Sequence, residues 1–99
     1  MESTRILLVR HGETDWNATG RIQGHSDTPL NEAGRLQARR AARRLAREPI
    51  RALYSSDLAR ALETATIIGA PLGLTAVSSP QLRERQYGAW EGLTGAEIQ

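Results

Sequence analysis

Apolar residues along this chain occur in two kinds of run, short unbroken stretches and longer stretches spaced at three and four residues. Ile6-Leu7-Leu8-Val9 is of the first kind, which predicts a buried first strand over Arg5 to Val9. From Glu13 to Leu30 the chain is rich in Gly, Asn, Asp, Thr and Pro, so a long loop is expected, with at most a short helix near Trp16. Asn31 is a suitable N-cap for the next element. Beyond it Gly34, Ala38, Ala41, Ala42 and Leu45 gather on one side of a helical wheel. That helix should run to about Arg47 and stop before Pro49, because the residue preceding proline avoids the α region.

Ala52-Leu53-Tyr54-Ser55 predicts a second strand, and Asp57 is placed to cap a helix through about Gly69, with Ala61, Ala65 and Ile68 on its buried stripe. Pro71 and Gly73 should end it, and Leu74 to Val77 reads as a short third strand. The stretch from Gln81 to Gly92 is turn-rich and polar. Thr94 and Glu97 have the spacing of a capping box that opens a last helix. Strand-helix-strand-helix-strand is the alternation of an α/β fold with a mostly parallel sheet.

Composition narrows the functional classes. The 99 residues make one domain at most, and the absence of cysteine excludes a disulfide framework or a thiolate zinc site. No apolar run approaches membrane-spanning length and no charged start leads into an apolar signal segment, so a cytoplasmic protein without membrane attachment is expected. All 13 basic residues are arginine. Arg35, Arg39, Arg40, Arg43, Arg44 and Arg47 cluster on the polar face of the helix after Asn31. With no aromatic residue interleaved to stack on bases, that face reads as solvated and no nucleic-acid partner is expected.

The chemistry starts at Arg10-His11-Gly12-Glu13-Thr14, directly after the first predicted strand. Arginine offers a planar, permanently charged fork for phosphate oxygens, and neutral imidazole is a nucleophile. Gly12 would let the backbone turn closely beneath a bound anion. In open α/β sheets ligands collect beyond the carboxyl ends of the strands, and the polar residues fall there. Arg10 and His11 follow the first strand, Ser55, Ser56, Asp57 and Arg60 the second, and Arg83, Glu84 and Arg85 the third. A phosphomonoester reaction also needs an acid for the departing alkoxide and a base for water. Glu84, a carboxyl whose pKa a neighbouring phosphate would raise, is the best candidate for both roles.

Taken together, these motifs resemble the histidine phosphatase superfamily, also called the phosphoglycerate mutase-like family. The residues that carry the resemblance begin with Arg10 to Thr14, Asn17, Gln23-Gly24, Asp27, Pro29-Leu30, Asn31, Gly34 and Gln37-Ala38. They continue through Ser55 to Leu58, Arg60-Ala61, Thr64-Ala65, Leu82-Arg83-Glu84, Tyr87-Gly88 and Trp90-Glu91-Gly92. The resemblance implies a three-layer α/β/α fold whose site takes a phosphorylated small molecule and needs no metal or other cofactor. It implies that His11 becomes the phosphohistidine, that Arg10 and Arg60 bind phosphate oxygens, that Asn17 adds a hydrogen bond and that Glu84 donates the proton. Gln23, Gly24 and Tyr87 match positions on the substrate side.

The chain also departs from the family pattern. Relatives usually carry a second catalytic histidine in a late His-Gly motif, whereas the other histidine here is His25, in a loop. Relatives are about twice as long, so residues 1–99 are expected to be the N-terminal portion of a single domain, incomplete at the C-terminus. Family mutases place a lysine shortly after the glycine that matches Gly92, where this chain has Leu93-Thr94-Gly95-Ala96. That difference favours a phosphatase over a cofactor-dependent phosphoglycerate mutase. A phosphate-binding protein without turnover is the remaining alternative. In the family's sheet order another strand separates the first from the second, so Ile6–Val9 and Ala52–Ser55 should not pair.

Overall fold

The computed structural model describes residues 5–83, 91–94 and 97. Glu84, Arg85 and Tyr87 lie outside these described residues, as do Gly88 and Trp90. The loop expected after His11 contains the short helix expected near Trp16, α1 (Asp15–Ala18). Thr14 caps it reciprocally: Asn17 N donates to Thr14 Oγ1 at 3.1 Å, and Thr14 N donates to Asn17 Oδ1 at 3.2 Å. The loop is closed at its ends where Thr14 bridges Leu30 antiparallel and Asn31 N donates to Glu13 O at 3.0 Å.

Asn31 caps α2 (Glu32–Leu45) as expected, accepting from Gly34 N at 2.8 Å. Its buried stripe is Gly34, Ala38 and Ala42, small residues that let another helix approach closely. That neighbour is α3 (Ala59–Gly69), and Arg35 Nε donates to Glu63 Oε2 across the helix pair at 2.7 Å. Arg39, Arg40, Arg43, Arg44 and Arg47 are exposed. The core consists of Leu30, Ala38, Ala42, Leu58, Ala65 and Ile68.

Before α3 comes β1 (Tyr54–Ser55) and after it β2 (Val77–Ser78), paired parallel with Tyr54 opposite Val77 and Ser55 opposite Ser78. Val77 N donates to Leu53 O at 2.8 Å and Ser79 N to Ser55 O at 2.9 Å. This strand-helix-strand unit is the α/β arrangement expected, in which parallel strands need a helical crossover. Both strands are shorter than the apolar runs suggested, and β2 lies toward the carboxyl end of its run. The chain between α3 and β2 turns through a single 3₁₀ turn, Ala70–Leu72, and the left-handed Gly73. Among the described residues no helix is long and apolar enough to cross a membrane.

Three expectations need correction. Arg5 to Val9 is not a buried strand: these residues are exposed and belong to no ladder, with Ile6 at 77% and Leu8 at 93% exposure. An apolar run becomes a strand only when neighbours take up its backbone groups, and the described residues provide none. Among the described residues this segment does not pair with Ala52–Ser55. Asp57 does not cap α3. Leu58 occupies that position without a side-chain bond, and Asp27 Oδ1, from the loop, accepts from Ala59 N at 2.6 Å. Asp57 instead receives the fork of Arg83, Nε and Nη2 each at 2.6 Å. Finally, the buried stripe of α3 is Arg60, Thr64, Ala65 and Ile68, with Ala61 only half-buried, because the helix turns its polar residues Arg60 and Thr64 toward the loop.

Candidate active site

Arg10 and His11 leave the exposed segment and enter the protein where α2 and α3 meet. Gly12 is buried there, and its glycine requirement comes from α2 rather than from a turn: Gly12 is not left-handed. A Cβ on Gly12 would lie 2.4 Å from Gly34 O, and one on Gly34 would lie 2.1 Å from Glu13 O. The two backbones touch because neither residue carries a side chain. This contact fixes the height of His11 above the helix.

Two adjoining hollows of about 240 Å³ each share Arg10, His11 and Gln37. One is completed by Glu13 and Asn17, the other by Gly12, Ala38, Ala41 and Thr64. Arg10 is exposed, lines both hollows and forms no ion pair among the described residues. His11 Nδ1 lies 2.7 Å from Gly12 O. A carbonyl oxygen only accepts, so Nδ1 carries the proton, and in neutral imidazole Nε2 is left with its lone pair. Asn17 uses Oδ1 in the α1 cap, which leaves its amide nitrogen as a donor at the cleft.

Arg60, Gln23 and Gly24 lie behind this cleft. Arg60 is 1% exposed and clips the loop from beneath, with Nη2 donating to Gly24 O at 2.5 Å and Nη1 to Ser26 O at 2.6 Å. Gln23 is buried, and its Oε1 accepts from Thr14 Oγ1 at 2.5 Å and Thr28 Oγ1 at 2.7 Å. The structure therefore brings Arg10, His11 and Asn17 together at one cleft, with Gln23, Gly24 and Arg60 in the scaffold that holds its loop. Glu84 and Tyr87 fall outside the described residues.

Glu91 holds the same loop from another side, accepting from His25 N at 3.2 Å and from Ser26 Oγ. Ile22 N donates to Leu93 O at 2.8 Å and Gly92 N to Ile22 O at 2.7 Å, so residues 91–94 lie along the loop. The capping box at Thr94 is formed, with Glu97 N donating to Thr94 Oγ1 and Thr94 N to Glu97 Oε1, both at 3.3 Å. A hydrogen bond from Thr94 Oγ1 to Glu97 Oε1 at 3.0 Å, with the one from Thr94 N and with Arg21 close by, holds the Glu97 carboxyl below its ordinary pKa.

The Arg83 fork likewise holds Asp57 below its ordinary value of 3.8. The bond's contribution to folding is present above that value and is lost as pH falls through the lowered one. It anchors Arg83, the residue that precedes Glu84, to the head of α3. Among the described residues no group of three or more His, Asp or Glu could hold a metal ion.

Sequence reasoning assigned no role to Gln37 or Thr64, yet both line the cleft beside His11. A signal for each was present. Gln37 is one turn on from Gly34, and Thr64 is one turn on from Arg60, so each shares a helix face with a residue already singled out.

The chain belongs to the histidine phosphatase superfamily, branch 1, whose sequence profile it matches over residues 6–99. It is 52% identical over 99 residues to phosphoglycerate mutase-like protein 4 of Arabidopsis thaliana, an alignment that covers 98% of this chain and 43% of that protein. It is 44% identical over 98 residues to glucosyl-3-phosphoglycerate phosphatase of Mycobacterium tuberculosis, covering 99% of this chain and 44% of the relative. The solved structure of a mycobacterial glucosyl-3-phosphoglycerate phosphatase complexed with VO3 superposes with a TM-score of 0.86 at 45% identity, covering 89% of this chain and 42% of that one. The chain thus spans less than half the length of these relatives.

Proposed function

We propose that this chain carries the phosphoryl-transfer centre of a phosphomonoester hydrolase that works through a phosphohistidine on His11. The observation that carries the reading is the bond from His11 Nδ1 to Gly12 O at 2.7 Å, which leaves Nε2 unprotonated in a cleft shared with Arg10. In the first step Nε2 attacks phosphorus, the N–P bond forms, and the P–O bond to the leaving group breaks. Glu84 gives its proton to the departing alkoxide. In the second step water attacks phosphorus and the Glu84 carboxylate takes its proton. The N–P bond then breaks, returning its electron pair to His11 and releasing inorganic phosphate. Arg10 holds the phosphoryl oxygens and Asn17 adds a donor, fixed groups that lower the barrier by matching the transition state, and Arg60 joins them by exchanging its bonds to Gly24 O and Ser26 O for phosphoryl oxygens. Gln23 and Gly24 support the loop that carries Asn17, and Tyr87 borders the substrate.

The substrate class is a phosphorylated small molecule, which suits a cleft of this size, and the cytoplasm is the compartment we propose for the enzyme. Similarity to a glucosyl-3-phosphoglycerate phosphatase supports hydrolysis. Similarity to a phosphoglycerate mutase-like protein keeps mutase activity as the second reading. The absence of lysine from Leu93-Thr94-Gly95-Ala96 favours the phosphatase. We take residues 1–99 as the N-terminal portion of one histidine phosphatase domain, a reading supported by the 43% and 44% of the relatives' length that they match and by the exposure of Ile6 and Leu8.

Glu84→Gln in the full-length gene product tests the proton assignment. Phosphate release from alkyl esters should slow by about 100-fold or more, and from activated aryl esters by much less, because only poor leaving groups need a proton in the transition state. Equal losses would remove Glu84 from the role. Transfer of phosphate between positions of a phosphoglycerate would favour the mutase, and binding without release from any ester would leave a phosphate-binding protein.

A further inference from the structure

The chemistry above depends on one proton being on Nδ1 of His11, and Gly12 O alone cannot guarantee that. Glycine offers no steric resistance to rotation of its flanking peptide groups, and the contact with Gly34 excludes any side chain that would. Something else must hold them. The peptide between His11 and Gly12 gives its N–H to Thr64 Oγ1 at 3.1 Å. The peptide between Gly12 and Glu13, whose carbonyl receives His11 Nδ1, gives its N–H to Gln37 Oε1 at 2.9 Å. Thr64 spends its own proton on Arg60 O at 2.7 Å, so toward Gly12 its oxygen acts only as an acceptor.

From this geometry we propose that Gln37 on α2 and Thr64 on α3 are positioning residues. They lock the two peptide groups around Gly12 and thereby set the tautomer and ring orientation of His11. The two locks act differently. Gln37 acts on the same peptide that receives the imidazole: an amide whose N–H is bonded carries more negative charge on its oxygen and binds Nδ1–H more firmly. Thr64 acts on the preceding peptide, next to the His11 Cα, and joins it to the backbone of Arg60. The helix contact of α2 with α3 therefore governs how the imidazole faces the cleft.

The proposal rests on His11 being the nucleophile, and its test separates the two. In the full-length gene product carrying ¹⁵N-labelled histidine, the neutral His11 imidazole should be protonated on Nδ1. Gln37→Met and Thr64→Val should each lower that fraction. In rapid-quench experiments they should slow phosphorylation of His11 by about 10- to 100-fold while KM changes by less than about threefold. Thr64→Ser, which keeps the acceptor, should restore most of the loss. Gln37 is exposed, so Gln37→Met decides the matter if Thr64→Val fails to fold. Unchanged tautomer and unchanged phosphorylation rate in Gln37→Met overturn the proposal, as does a wild-type imidazole protonated on Nε2. Persistence of the adduct in His11→Ala would overturn the nucleophile assignment instead, with the tautomer measurement still standing.

Discussion

The Arg10–Thr14 motif divides two regions that fare oppositely in this chain. On its carboxyl side the loop to Leu30 is tied to α2, α3 and residues 91–94 by directed bonds, with Thr14 at 0% and Arg60 at 1% exposure. On its amino side the four most continuous apolar residues, Ile6 to Val9, lie exposed and unpaired with any described strand. A polar network closes when each donor meets one acceptor, and a few side chains from neighbouring helices suffice. Burying an apolar strand takes area on both faces and both edges, about 1.5–3 kcal/mol for each large side chain covered. The polar network around Arg10–Thr14 is thus closed at short range in a chain whose apolar segment is not covered by its own described residues.

The sharpest way to break the contrast is to fill the space between the motif and α2. Gly34→Ala would set a methyl carbon 2.1 Å from a backbone oxygen, and no flexible side chain can yield there. Overpacking against backbone should cost about 3 kcal/mol or more, read as a fall in urea midpoint, together with loss of phosphate binding. A variant within about 0.5 kcal/mol of wild type would show that the helix can withdraw freely.

Arg60→Ala comes next. It strips the carbonyls of Gly24 and Ser26 of buried donors, and stability should fall by about 2–4 kcal/mol. Turnover should drop for aryl and alkyl esters alike, since charge on the phosphoryl group is common to both. Arg60→Lys keeps the charge without the fork and should recover less than half of the stability. Recovery to wild-type stability would mean that the loop does not need the paired donors.

How much of this was legible in the sequence follows from how local each signal is. The cap at Asn31, the short helix near Trp16 and the box at Thr94 are set within four residues, and each is found where its residues place it. The first strand was misread because its apolar pattern states what the segment needs, while its exposure depends on residues elsewhere. Asp57 was misread for the same reason. Its position favours a cap, but a bidentate arginine 26 residues away outcompetes a single backbone N–H, and Asp27 serves the helix from the other side. Of the cleft, Arg10 and His11 were legible from their motif and Asn17 from the family resemblance. Gln37 and Thr64 entered only among the residues that carry the resemblance, without a role, because the peptides they hold belong to a different part of the chain.

The exposed side of the comparison carries the smallest expected effect. Leu8→Ser in the 99-residue chain should move stability by less than about 0.5 kcal/mol, because a residue at 93% exposure has little burial to lose. A loss of about 2 kcal/mol in a denaturant titration would mean that this segment is covered in solution.

The most direct measurement follows the phosphate itself. The full-length gene product is mixed with a phosphomonoester, quenched within milliseconds under alkaline conditions that preserve phosphoramidates, and mapped by mass spectrometry. The account predicts a phosphoryl group on His11 that is lost in acid and absent from His11→Ala. A stable adduct on any other residue, or turnover that persists in His11→Ala, would contradict it.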